Sequence, residues 1–209
     1  MEITFLGTGT STGVPEIGCQ CEVCTSSEMC IRDRDWRLRT SVLVETDGKR
    51  VLLDCGPDFR WQVIRNKTYH LDAVLISHEH YDHVGGLDDL RPFCREKGVD
   101  VYAEDNVAEA IETRIPYVFR IHKYPGVPNL ELHRIGNEPF MVAGIPVTPV
   151  RVMHGKLPIF GYRIGNMAYL TDVKYLPEEE YAKLEGLDVL VLTALRRGAH
   201  PTHLSLIHI

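Results

Sequence analysis

No apolar run in this sequence approaches the roughly 18–20 residues that a helix needs to cross a bilayer. The opening Met1-Glu2-Ile3-Thr4 lacks a basic segment followed by an apolar one, so no secretory leader is indicated. Positive charge is in deficit as well. Lys and Arg total 23 against 29 Asp and Glu, a formal net charge of −6. A balance of that sign suits nonspecific nucleic-acid binding poorly. Internal repeats, low-complexity tracts and interdomain linkers are missing too. The 44% hydrophobic and 25% charged residues are those of an ordinary globular chain, not a disordered one. At 209 residues the chain is expected to be one domain with a real core. The expected location is the cytoplasm, where thiols stay reduced. The six cysteines are then metal ligands or core residues rather than disulfides.

What is present alternates between strand and helix signals. Short apolar or β-branched runs occur at residues 3–6, 40–45, 50–54, 73–76 and 101–103, and again at 131–134, 139–142, 145–152, 159–164, 168–171 and 189–193. Asp47-Gly48 marks a hairpin, and Gly165-Asn166 marks another. Helical spacing appears at 59–65, 86–97, 106–113 and 177–184. The stretch 118–128, with aromatics, two prolines and no clean period, reads as an excursion or lid. The 189–193 run reads as a buried strand.

The sharpest feature is Ser77-His78-Glu79-His80-Tyr81-Asp82-His83, which follows an apolar strand and precedes Gly85-Gly86 and a helix. Imidazole and carboxylate are the usual ligands of zinc and related first-row ions. On an extended backbone His78 and His80 can face one ion. Asp82 and His83, as the loop turns into the helix, can face a second. His154 and Asp172 each end a strand-like run further on. Cys19-x-Cys21-x-x-Cys24 places three thiols within six residues, open to zinc or left as free thiols, whereas Cys55 and Cys94 read as core.

With these residues the chain resembles the metallo-β-lactamase superfamily of dinuclear hydrolases, most nearly the branch of the phosphonate-pathway cyclic phosphodiesterase. The matching elements are Phe5-Leu6-Gly7-Thr8-Gly9-Thr10-Ser11-Thr12-Gly13-Val14-Pro15, the three cysteines, Leu53-Asp54-Cys55-Gly56, His78–His83, His154-Gly155-Lys156-Leu157 with Phe160-Gly161-Tyr162, and Leu170-Thr171-Asp172. The resemblance, with the strand and helix signals, implies an α/β fold of two facing mixed β-sheets with outer helices (the αββα sandwich). It implies that His78, His80 and His154 hold one ion, Asp82 and His83 the other, with Asp172 bridging and Asp54 orienting a ligand histidine. It also implies two catalytic zinc or manganese ions and one structural zinc on Cys19, Cys21 and Cys24. The last catalytic ligand and the fourth zinc ligand of that branch are histidines near its C-terminus, so this chain is expected to be one ligand short at each place.

Two segments look foreign. Met29-Cys30-Ile31-Arg32-Asp33-Arg34 can be written ATG TGT ATA AGA GAC AGN, with Glu28 as a preceding GAG, and the reverse complement translates as Leu-Ser-Leu-Ile-His-Ile, which is residues 204–209. The oligonucleotide matches a transposon mosaic end used in sequencing libraries. Residues 28–34 and 204–209 are therefore expected to be adapter sequence joined to the gene, and Cys30 and His208 are assigned no role.

The expected chemistry is attack by a metal-activated water on a small or cyclic phosphodiester, with Asp82 in the centre and His203 as general acid, His200 being its runner-up. A tRNA 3′-processing endonuclease, a thioester or lactone hydrolase and a non-catalytic metal-binding scaffold are the alternatives. The expected partner is a small-molecule phosphodiester. Nucleic acid is less favoured, a membrane is not expected, and a homodimer is left open.

Overall fold

The computed structural model describes residues 1–26, 28, 35–95, 97–196 and 201–205, with the backbone alone for 195, 196 and 205. Cys30, His200 and His208 lie outside the described residues, as does most of the two segments 28–34 and 204–209.

Two sheets face each other. The first runs β1(Glu2–Gly7), β2(Ser41–Thr46), β3(Lys49–Leu53), β4(Ala73–Leu75), β5(Val99–Glu104) and β6(Leu130–Ile135), in that spatial order. β1, β2 and β3 pair antiparallel, and β3 to β6 pair parallel. The second has the order β11-β10-β9-β8-β7, made of β7(Phe140–Val142), β8(Ile145–His154), β9(Leu157–Ile164), β10(Met167–Leu170) and β11(Val189–Leu192). Its pairs are antiparallel except β10 with β11. A short parallel pair, β12(Ala194–Arg196) with β13(Leu204–Ser205), follows.

Period-two alternation explains the layering. Val42, Val44, Val51, Leu53 and Leu75 point inward and meet Val147, Phe160, Tyr162, Ile164 and Tyr169 of the second sheet. The intervening Leu43, Leu52, Val74 and Val101 point outward, under Phe59 and Val63 of helix α2(Phe59–Arg65) and Val107, Ala108 and Ile111 of helix α4(Asp105–Arg114). The parallel strands need crossovers, and these helices supply them. A smaller cluster of Val150, Val152, Ile159, Leu170 and Val173 lies on the outer face of the second sheet.

Three expectations change. The segment 86–97 holds a 3-10 helix, Leu87–Cys94, with Pro92 inside it, which removes a helix donor. The segment 177–184 is likewise a 3-10 helix, Glu178–Leu184. The 189–193 run is not a buried strand. Among the described residues β11 is an edge strand paired only with β10, and Val189 and Leu190 are 39% and 47% exposed. Asp47-Gly48 does form the β2–β3 hairpin, both residues at positive φ. No helix among the described residues is long and apolar enough to cross a membrane.

Candidate metal centre

Four strand ends meet at one rim. Asp54 follows β3, Ser77 and His78 follow β4, His154 closes β8, and Asp172 follows β10. Two bonds between the sheets fix their approach: the Tyr162 hydroxyl donates to the Ile76 carbonyl at 2.6 Å, and the Phe160 N–H donates to the Ser77 carbonyl at 3.1 Å. His80 is extended (φ −61°, ψ 146°) just before helix α3(Tyr81–Val84). That extension puts His80 beside His78, and the helical turn swings Asp82 and His83 to a second position.

The donor atoms gather in two groups. Nitrogens of His78, His80 and His154 and an oxygen of Asp172 lie within 4.8 Å of one another, and so do donor atoms of Asp82, His83 and Asp172. Asp172 belongs to both. Its Oδ2 stands 3.7 Å from His78 Nε2, 3.5 Å from His83 Nε2 and 3.9 Å from His154 Nε2. His78 Nε2 and His80 Nδ1 are 3.0 Å apart, the spacing expected of neighbouring ligands with bonds of about 2 Å to one ion. Asp172 sits at φ +51°, a conformation uncommon for a residue with a side chain.

Three of the four rings are held from behind. His83 Nδ1 meets Asp54 Oδ2 at 2.8 Å, His78 Nδ1 meets Ser77 Oγ at 3.0 Å, and His154 Nδ1 meets the Thr202 carbonyl at 2.9 Å. Such partners fix the tautomer and aim of a ligand histidine. Asp54, itself wholly buried, also accepts from the Ser77 N–H and hydroxyl and from the Tyr169 hydroxyl. Adjacency to the motif could have flagged Ser77. Tyr169 and the Thr202 carbonyl carry no sequence signal, because fold alone brings them here.

The electrostatics follow from three carboxylates around His83. Burial opposes its charge, but Asp54, Asp172 and Asp82 together push its pKa well above the ordinary value. Burial raises Asp172, and the His83 hydrogen bond and charge with the charges of His78 and His203 override that and hold it far below the usual carboxylate range. Burial and then the His83 charge press His78 well down. His83 Nε2 is buried, 3.3 Å from Asp82 Oδ2 and 3.5 Å from Asp172 Oδ2. A buried imidazole nitrogen flanked by two carboxylates, with three further imidazoles beside it, is a donor set that fits divalent cations.

His203 lies beside the cluster, its ring 4.6 Å from that of His154 and its Nδ1 3.9 Å from Asp172 Oδ1. A cavity of about 480 Å³ opens onto these residues between the edge strands β1 and β11. Thr8, Thr10, Ser11 and Thr193 give it hydroxyls, and Phe5, Val42 and Val191 give it an apolar wall. The sulfurs of Cys19, Cys21 and Cys24 lie within 4.8 Å of one another on helix α1(Glu22–Thr25) and the turn before it, and Cys24 Sγ accepts from the Glu16 N–H. Cys55 is buried, its thiol pushed up first by burial, as suits a core residue. Every described residue expected at the dinuclear site is brought to this rim, and the cysteines form a separate group.

Residues 49–208 match the family described as the Beta-lactamase superfamily domain. A solved diphosphatase from the PhnP family is 41% identical, with a TM-score of 0.88, and the match covers 99% of this chain and 79% of that one. An octanoyltransferase of Porphyromonas gingivalis is 52% identical over 206 residues, 97% of this chain but 41% of that protein. This chain thus spans about two fifths of that relative. Human tRNase Z, short form, shares the fold at 18% identity and a TM-score of 0.65, covering 100% of this chain and 86% of that one.

Proposed function

This chain belongs to the metallo-β-lactamase superfamily, in its PhnP-like branch, and from that premise we propose that it is a metal-dependent hydrolase of small or cyclic phosphodiesters. The observation that carries the reading is Asp172, one carboxylate shared between two groups of donor atoms. His78, His80 and His154 would hold one divalent ion and Asp82 and His83 the other. When bound, zinc or manganese ions would supply an acidified water and offset charge on the attacked phosphoryl oxygens. The protein's own residues do the rest. Asp54, Ser77 and the Thr202 carbonyl keep the imidazoles aimed. The Thr8, Thr10 and Ser11 side chains line the approach and would hydrogen-bond the substrate's hydroxyls. His203, on the cavity wall, would protonate the departing alkoxide, general acid catalysis being the commonest catalytic use of histidine. The diphosphatase relative supports phosphoryl chemistry.

Hydrolysis of an acyl ester or thioester is the second reading. The same type of centre polarises carbonyls, and the Phe5, Val42 and Val191 wall would receive an apolar group. The two readings separate in one panel: bis(4-nitrophenyl) phosphate, 2′,3′-cyclic nucleotides, precursor tRNA and acyl thioesters, each with zinc and with manganese. Turnover of the diesters with little on thioesters is expected. Thioester turnover alone would overturn the proposal.

A further inference from the structure

A second cavity, of about 410 Å³, opens on the outer face of the first sheet, where α2 packs beside the 3-10 helix Leu87–Cys94. It contains none of the metal-centre residues. Its lining combines Val63, Ile64 and Phe93 with two guanidiniums, Arg60 and Arg95. Ile64 is 47% exposed and Tyr69 79% exposed, so these two offer open apolar surface, above Val63, which belongs to the core, and Phe93, which is partly buried against it.

The charge here runs against that of the whole chain. The net charge of the protein is −6, yet this hollow has two arginines against one carboxylate, Asp89. Among the described residues neither Arg60 nor Arg95 forms a salt bridge. Arg60 lies over the Trp61 ring instead, 5.5 Å from its centroid. Arg39, Arg91 and Arg134 are paired, with Asp58, with Asp88, and with Asp105 and Glu112, whereas Arg114, like the two here, forms no salt bridge among the described residues and lies over a ring, that of Tyr81. Arginine is the side chain best suited to hold a carboxylate by paired N–H donors, and an apolar pocket with a few convergent polar groups is the usual form of a small-molecule site.

We propose that this hollow binds an organic carboxylate with an apolar body, the body seated on Val63, Ile64 and Phe93 and the carboxylate held by Arg60 and Arg95. The proposal does not depend on the hydrolytic reading. The probe is 2-naphthoate, titrated calorimetrically into the full chain. Saturable one-to-one binding is expected, weakened about tenfold or more in the double variant Arg60→Gln/Arg95→Gln. Uncharged 2-naphthalenemethanol should bind about tenfold or more weaker than the acid. Ile64→Glu, a change at a half-exposed position that sets a carboxylate in the seat, should abolish binding while metal content and thermal melting stay those of the parent. No saturable binding, equal affinity for the neutral alcohol, or binding that ignores all three substitutions would overturn the proposal. So would self-association of the chain that buries the hollow and excludes the probe.

Discussion

Asp54 shows how much of the centre depends on a residue that would touch no ion. It sits at φ +61° with no exposed surface, and takes donors from Ser77, Tyr169 and His83. Replacing Asp54 by Asn keeps the shape but removes the charge that aims and charges His83. Loss of such a partner weakens metal binding by about 10–100-fold. Asp54→Asn is therefore expected to lower affinity at the Asp82/His83/Asp172 position while the His78/His80/His154 position is less affected. Competition with a chromophoric chelator measures both. Equal weakening at the two positions would contradict the assignment of Asp54 to His83. The His83 pKa gives a second expectation. In metal-free protein it lies well above the ordinary value of about 6.5. A cation must displace that proton, so metal uptake near neutrality releases protons and tightens as pH rises towards the raised pKa. By linkage, the His83 contribution to the stability of the metal-free fold is fully present below about pH 6.5 and is lost as pH rises through the folded value. Calorimetry in two buffers of different ionisation enthalpy counts the protons. Uptake without proton release at pH 7 would contradict it. At this scale the sequence was half legible. The histidines and aspartates of the motif share one short loop and announce themselves by spacing. Tyr169 and the Thr202 carbonyl reach the site from strands and turns distant in sequence, so no local pattern marks them.

At the scale of elements, the site is the meeting of strand ends, and glycine permits the approach. Gly56 has no space for a side chain: a Cβ there would overlap the Asp82 carbonyl oxygen, and one on Gly86 would overlap the Gly56 carbonyl. The β3 exit and the motif loop are thus pressed backbone to backbone, with Cys55 N–H donating to the His83 carbonyl at 2.8 Å. Gly56→Ala should shift the Asp82 loop and destabilise the fold by about 1–3 kcal/mol, the usual cost of overpacking. Differential scanning calorimetry, with metal analysis alongside, tests it. An unchanged melting temperature and full metal content would show that the contact yields. The strands themselves were readable because alternation and β-branched runs reflect burial on a pleated surface. Their neighbours were less so. β11 reads as core from its Val-Leu-Val-Leu run, but apolar composition alone does not say whether a strand lies at the centre or the edge of a sheet. The 3-10 helices have helical spacing over one or two turns, which does not distinguish them from α-helix.

For the molecule as a whole, the two facing sheets place the metal rim, the hydroxyl-bearing loop 7–13 and the apolar wall around one cavity, an architecture that the family resemblance, together with the strand and helix signals, implied. Residues 28–34 and 204–209 carry a separate expectation, since one oligonucleotide read on both strands accounts for both. Long-read sequencing of the source DNA should find the gene without residues 28–34. One uninterrupted genomic read encoding both segments would contradict this. The central claim, that Asp172 joins two metal positions into one hydrolytic centre, is tested most directly by titrating metal-free protein with zinc or manganese while following bis(4-nitrophenyl) phosphate hydrolysis. The account predicts that rate appears as the second ion binds, and that Asp172→Ala removes both the second equivalent and about 100-fold or more of the rate, as loss of a charge-stabilising group does. Hydrolysis that is complete without metal, or unchanged in Asp172→Ala, would contradict it.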